Sequence, residues 1–164
     1  MRQELDDFLC NKYPDIFRDR HGDETQTAMV WGFECGDGWF DIIDNLCASL
    51  SVIAKMSGIK VIATQVKEKF GALRFYYETY HDSVESLSEE ECKLVNKLIK
   101  LTVDFAEGET ERTCEMCGGN NKRHEKTTVS INGWIYNLCE HCLEISDRLN
   151  KKDFPRPVIH PEIK

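Results

Sequence analysis

The chain has 164 residues, a formal net charge of -8, 41% apolar residues and 30% charged residues. That balance excludes a disordered or fibrous chain and suits one ordinary domain, or a domain plus a small metal-stapled module. No apolar run reaches the roughly 18 residues of a membrane span, so no membrane partner is expected. The first ten residues, MRQELDDFLC, are acidic and lack an apolar core, so they do not read as a secretory signal. The expected setting is therefore cytoplasmic, where eight cysteines stay reduced or bind metal. The charge is uneven. Residues 1–112 carry 13 Lys+Arg against 22 Asp+Glu, and residues 113–164 carry 8 against 7. The body should repel polyanions, while the C-terminal part is close to neutral.

In chain order, Leu5, Phe8 and Leu9 fall at helical spacing before Pro14. A polar loop, RDRHGDETQT, leads to AMVWGFEC, which reads as a short strand. The turn GDGW opens a helix in which Trp39, Ile42, Ile43, Leu46, Leu50, Ile53 and Ala54 recur at about 3.6 residues. Asp37 or Gly38 is its expected N-cap and Gly58 its stop. Residues 58–80 read as a hairpin. Ser88 and Glu91 form an S-x-x-E capping box for a second helix, with Val95, Leu98, Thr102, Phe105 and Ala106 as its buried stripe. EGETER follows as a polar linker. The expected fold is α+β: a small antiparallel sheet covered by the Trp39–Ile53 and Glu89–Ala106 helices, with a C-terminal four-cysteine zinc ribbon. The expected division is a body over 1–110, then ribbon, C-terminal helix and tail over 111–164.

The strongest chemical signal is a pair of C-x2-C knuckles, Cys114 and Cys117 in CEMC and Cys139 and Cys142 in CEHC. Two thiolates on one tight turn grip a single ion, and two such turns complete a tetrahedron. Gly118 and Gly119 let the chain turn beneath the metal. Between the knuckles, TTVSINGWIYNL reads as a hairpin around Asn132-Gly133, a favoured type I′ pair. Four sulfur ligands leave no open position, so one zinc per chain is expected in a structural role. His141 is an alternative ligand that four cysteines make unnecessary, and His124 lies in the same region. Cys10, Cys47 and Cys92 read as small buried apolar groups. Cys35, beside GDG, lacks an identifiable His partner for nucleophilic chemistry. No catalytic residue is assigned, and an enzyme is the least supported class.

Within QVKEKFGALRFYY, residues 65–77, three cations crowd around Gly71. A two-residue turn at Phe70-Gly71 or at Gly71-Ala72 gives the same division of faces. One face carries Val66, Glu68, Phe70, Leu73, Phe75 and Tyr77. The other carries Gln65, Lys67, Lys69, Arg74, Tyr76 and Glu78. Like charges opposed across strands are unfavourable, so either acidic neighbours or an anionic partner must offset Lys67, Lys69 and Arg74. Lysines on an exposed strand also discourage edge pairing. Glu68, among aromatics, needs a partner if buried, or else a place at the hairpin rim.

The blocks CGDGWFDIIDNLC, QVKEKFGALRFYY and TCEMCG…GWIYNLCEHC, in that order over residues 34–142, resemble an uncharacterised family of small bacteriophage and prophage proteins. The resemblance implies a phage-type accessory protein in a bacterial host cytoplasm, and it transfers no catalytic residue. Proteins of this kind often inhibit a host factor, in takeover or counter-defence, or capture a signalling molecule. Three readings follow. The first is a host-protein binder. The second is a binder of a small anionic ligand such as a nucleotide, on Lys67, Lys69, Arg74 and Tyr76. The third is nucleic-acid binding through Lys122, Arg123, Lys126, Arg148, Lys151 and Lys152 of the ribbon, which the near-neutral balance there disfavours.

Overall fold

The computed structural model describes residues 1–81, 87–119, 127–131 and 134–148, with side chains from 135 to 145 in the last stretch. Helix α1 (Gln3–Lys12) is followed by two 3-10 turns, Arg18–His21 and Ala28–Trp31. Strand β1 (Phe33–Glu34) and a third 3-10 turn (Asp37–Trp39) lead into α2 (Phe40–Ser57). The hairpin of β2 (Ile59–Lys69) and β3 (Ala72–His81) precedes α3 (Glu89–Thr110). A second hairpin, β4 (Thr127–Ile131) and β5 (Trp134–Leu138), ends in α4 (Glu140–Arg148).

The fold is α+β, as the sequence predicts, with one change in the sheet. Strand order is β1-β2-β3, and β1 pairs parallel to β2 through Phe33↔Val66 and Glu34↔Lys67. The sheet is therefore mixed rather than antiparallel. The expected strand over AMVWGFEC shrinks to two residues, because Ala28–Trp31 winds into a 3-10 turn whose N-cap Thr27 accepts from the Met29 N–H. Gly32 then takes φ 75°, a left-handed value that a glycine meets without strain. A Cβ on Gly32 would also lie 2.3 Å from Asp6 Oδ2.

Helix α2 starts one or two residues later than its expected N-cap implies. Asp37–Trp39 is 3-10, the N-cap is Trp39, and Asp37 bonds to the Arg2 backbone and side chain instead of capping. Gly58 ends the helix as expected, in the left-handed conformation with its N–H on Ala54 O. The capping box of α3 is complete, with Ser88 and Glu91 each accepting from the other's backbone. That helix runs to Thr110, through the first four of the six residues of the expected EGETER linker.

The main core gathers Trp39, Ile43, Leu46 and Leu50 of α2 with Val66, Leu73 and Phe75 of the hairpin and Ile99, Val103 and Ala106 of α3. Trp39 is fully buried. The buried register of α3 is thus Ile99, Val103, Ala106 and Thr110. Of the expected stripe only Ala106 is fully buried; Val95 packs against the core edge, while Leu98 and Phe105 face outward. The other end of the core is closed by Phe17, which meets Phe33 at 4.9 Å and Phe75 at 6.5 Å between ring centroids. A bulge between Ala63 and Gln65 frees the Ala63 N–H for Ile16 O and Thr64 O for the Thr27 hydroxyl.

The outer edge of β3 is closed by α3. Leu73 N–H donates to Thr110 Oγ1 at 3.0 Å and Phe75 N–H donates to Glu107 Oε1 at 2.9 Å. Two side chains of one helix thus stand in for a fourth strand, satisfying donors that an open edge would leave for aggregation.

Candidate functional site

The four knuckle cysteines converge. The sulfurs of Cys114, Cys117, Cys139 and Cys142 all lie within 4.8 Å of one another. Cys117 and Cys139 are 3.8 Å apart, which is the edge, about 3.8 Å, of a tetrahedron with 2.3 Å metal–sulfur arms. The donor set is all thiol, and backbone N–H groups point at two of the sulfurs, Gly119 to Cys117 at 3.4 Å and Cys142 to Cys139 at 3.5 Å. Such N–H···S bonds orient a thiolate ligand toward its metal. The residues fit a structural metal. His141 is exposed and outside this cluster. His124, the Asn132-Gly133 turn and the side chains of Lys122, Arg123, Lys126, Arg148, Lys151 and Lys152 lie outside the described residues.

The first knuckle is seated in the GDGW loop. Gly38 N–H donates to Glu115 O at 2.8 Å, and Gly36 N–H donates to Glu115 Oε1 at 3.0 Å. The Trp39 indole N–H donates to Thr113 O at 3.0 Å. A Cβ at Gly38 would fall 2.2 Å from Cys114 O and 2.4 Å from Gly118 N, so the two backbones touch only because residue 38 has no side chain. From the other side, Asn137 Nδ2 donates to Thr110 O, and Glu115 N–H donates to Asn137 O. Metal knuckle, second hairpin, α3 and the start of α2 therefore meet at residues 113–115.

Glu115 is nearly fully buried at this junction, with Oε2 lacking a partner among the described residues. Burial first, then the nearby Glu68 carboxylate, pushes its carboxyl up to about 7. Tyr136 is driven up to about 12 by burial and by Glu115. Glu68 itself is half-buried at the hairpin rim. Burial raises its carboxyl, while the Gly71 N–H, 2.6 Å from Oε1, opposes that. Cys35 is buried, and loss of solvent raises its thiol and keeps it protonated. Cys10 is also raised, to about 12, by burial and the adjacent Asp6.

The hairpin turn is Phe70-Gly71, with φ 57° and 78°, the two left-handed positions of a type I′ turn. Lys67 lies opposite Arg74, and Gln65 opposite Tyr76. The face division expected from the sequence holds within the strands, where Val66, Leu73 and Phe75 are buried while Lys69 and Tyr76 are exposed, but Phe70, expected on the buried face, occupies the turn and is exposed. Two of the cations find partners inside the molecule. Arg74 bends to the edge, donating to Leu73 O at 2.7 Å and reaching Glu107 Oε2 at 3.4 Å. Lys67 stands over the Tyr76 ring at 5.6 Å, and its neighbour in register on β1 is Glu34. Lys69 caps the turn over Phe70 at 5.6 Å. Sequence reasoning gave no role to Glu107, Thr110, Asn137 or Gly36, and took Gly38 only as a candidate N-cap. Only the glycines carried a signal, as a G-x-G beside an aromatic.

No family model, no curated protein and no solved structure matches this chain. Among the described residues no helix is long and apolar enough to cross a membrane.

Proposed function

We propose that this chain is a binding protein built on a structural zinc centre. Four thiolates complete the coordination of one Zn²⁺ per chain through Cys114, Cys117, Cys139 and Cys142, leaving no position for a reacting water. The face offered to a partner is that of Lys67, Lys69 and Tyr76, with Arg74 at its border. The carrying observation is that Lys67 and Lys69 make no ion pair among the described residues, on a chain of net charge -8. One ammonium over a phenol ring, with a second over the phenyl ring at the adjacent turn, suits an acidic protein surface, where aromatic area and charge act together. The resemblance to small phage proteins supports a host protein as that partner, met in the bacterial cytoplasm, in an inhibitory or counter-defence role.

A second reading rests on Lys67 lying 5.6 Å from the Tyr76 ring centroid. A ring and an ammonium so arranged also suit a small anionic ligand with a planar base, such as a nucleotide. One variant tests both. Lys67→Glu with Lys69→Glu changes one half-buried and one exposed charge and should shift stability by no more than about 1 kcal/mol. It should abolish capture of a host protein, or a nucleotide-induced rise in melting temperature, at unchanged metal content. A partner retained at full affinity by this variant would overturn the assignment of the face.

A further inference from the structure

Helix α3 carries a second apolar stripe that the core does not use. Leu94, Leu98, Leu101 and Phe105 are 68%, 49%, 55% and 71% exposed. They lie roughly 140° around the helix from Ile99, Val103, Ala106 and Thr110, at 100° per residue. Val52 and Met56 of α2 are also exposed, at 55% and 84%. Four large apolar side chains exposed along one face of a helix are what interaction sites show and what monomers keep small.

We propose that two copies of this chain associate through α3, antiparallel and isologous, with Lys97 of each copy against Asp104 of the other. The spacing of the stripe selects this partner. Steps of four, three and four residues form the 3-4 alternation of a coiled-coil seam. The same steps read identically in both directions. In an antiparallel pair Leu98 therefore meets Leu101 of the second copy, and Leu94 meets Phe105, all four layers being filled. Flanking charge selects the direction. Lys97 and Asp104 lie on the same side of the stripe, seven residues apart, and become neighbours across a two-fold axis, twice per dimer. In a parallel pair Lys97 would face Thr102, and Asp104 would face Glu109, a like-charge contact made twice. Lys97 makes no ion pair among the described residues, while Asp104 holds only Lys100 of its own helix. The remaining acids of that flank, Glu90 and Glu111, lie beyond the last apolar layer.

Sedimentation of the full metal-loaded chain across micromolar concentrations tests the proposal. The wild type should sediment as a dimer of two 19.0 kDa chains. Leu98→Glu with Leu101→Glu, both at exposed positions, should give a monomer with unchanged helical circular dichroism and metal content. Lys97→Glu alone should weaken the dimer about tenfold by opposing Asp104 of the second copy. Adding Asp104→Lys should restore it, a rescue that a merely sticky patch would not show. A monomeric wild type would overturn the proposal, whether the stripe is then covered by residues 149–164 or by a different protein. So would a dimer that survives Leu98→Glu with Leu101→Glu, or a charge swap without rescue.

Discussion

Gly38 shows how one missing Cβ holds two parts of the chain together. Its backbone lies against Cys114 O and Gly118 N so closely that even a methyl group must push the knuckle away. Gly38→Ala should therefore lower stability by about 2–4 kcal/mol and weaken metal retention, read as a fall in urea midpoint and faster release to a chelator. Gly108 is the counter-case. It sits inside α3 with nothing within 4 Å of the place a methyl group would take, so Gly108→Ala should raise stability by about 0.5–1 kcal/mol, read as a higher urea midpoint. Asp6 makes a third test. It is buried, takes Arg20 Nε at 2.9 Å, and accepts from the Phe33 N–H at 3.3 Å. Asp6→Ala strands the largely buried Arg20 guanidinium and should cost about 3–5 kcal/mol in a denaturant titration.

At the scale of elements, α3 explains both what could be read from the sequence and what could not. Its start was legible because the capping box is local: Ser88 and Glu91 satisfy each other's backbone within one turn. Its buried face was not. Leu94, Leu98, Leu101 and Phe105 compete with Val95, Ile99, Val103 and Ala106, and a period near 3.6 does not rank two apolar faces on one helix. The choice is made by polar residues at the far end. Glu107 and Thr110 must face β3 to accept from Phe75 and Leu73, and that turns Leu98 and Phe105 outward. Those bonds join residues 32 and 37 positions apart, so no local pattern carries them. The hairpin faces were legible because a period of two and a two-residue turn fix them whichever turn is used. Thr110→Val should cost about 1–3 kcal/mol by stranding the Leu73 N–H. Amide hydrogen exchange at Leu73 should accelerate in that variant. Unchanged protection there would show that the edge does not depend on the helix.

At the scale of the whole molecule, the metal site was the most legible feature, since C-x2-C spacing is itself the ligand geometry. The docking of that site was hidden, because GDGW and CEMC are separated by more than 70 residues of chain. The consequence is that the metal centre supports the body as well as the ribbon. Thr113, Cys114 and Glu115 are held by Trp39, Gly38 and Gly36, so loosening the knuckle releases the entry to α2. Metal binding and local folding are then one equilibrium. The most direct measurement is hydrogen exchange at the Gly38 amide and the Trp39 indole N–H, followed by NMR while a chelator strips the metal. The account predicts that both lose protection together with the Cys114 and Gly118 amides, while amides deep in the sheet and α3, such as Val66 and Ile99, stay protected. Gly38 and Trp39 remaining protected after complete metal removal, or a chain that holds no metal at neutral pH, would contradict it.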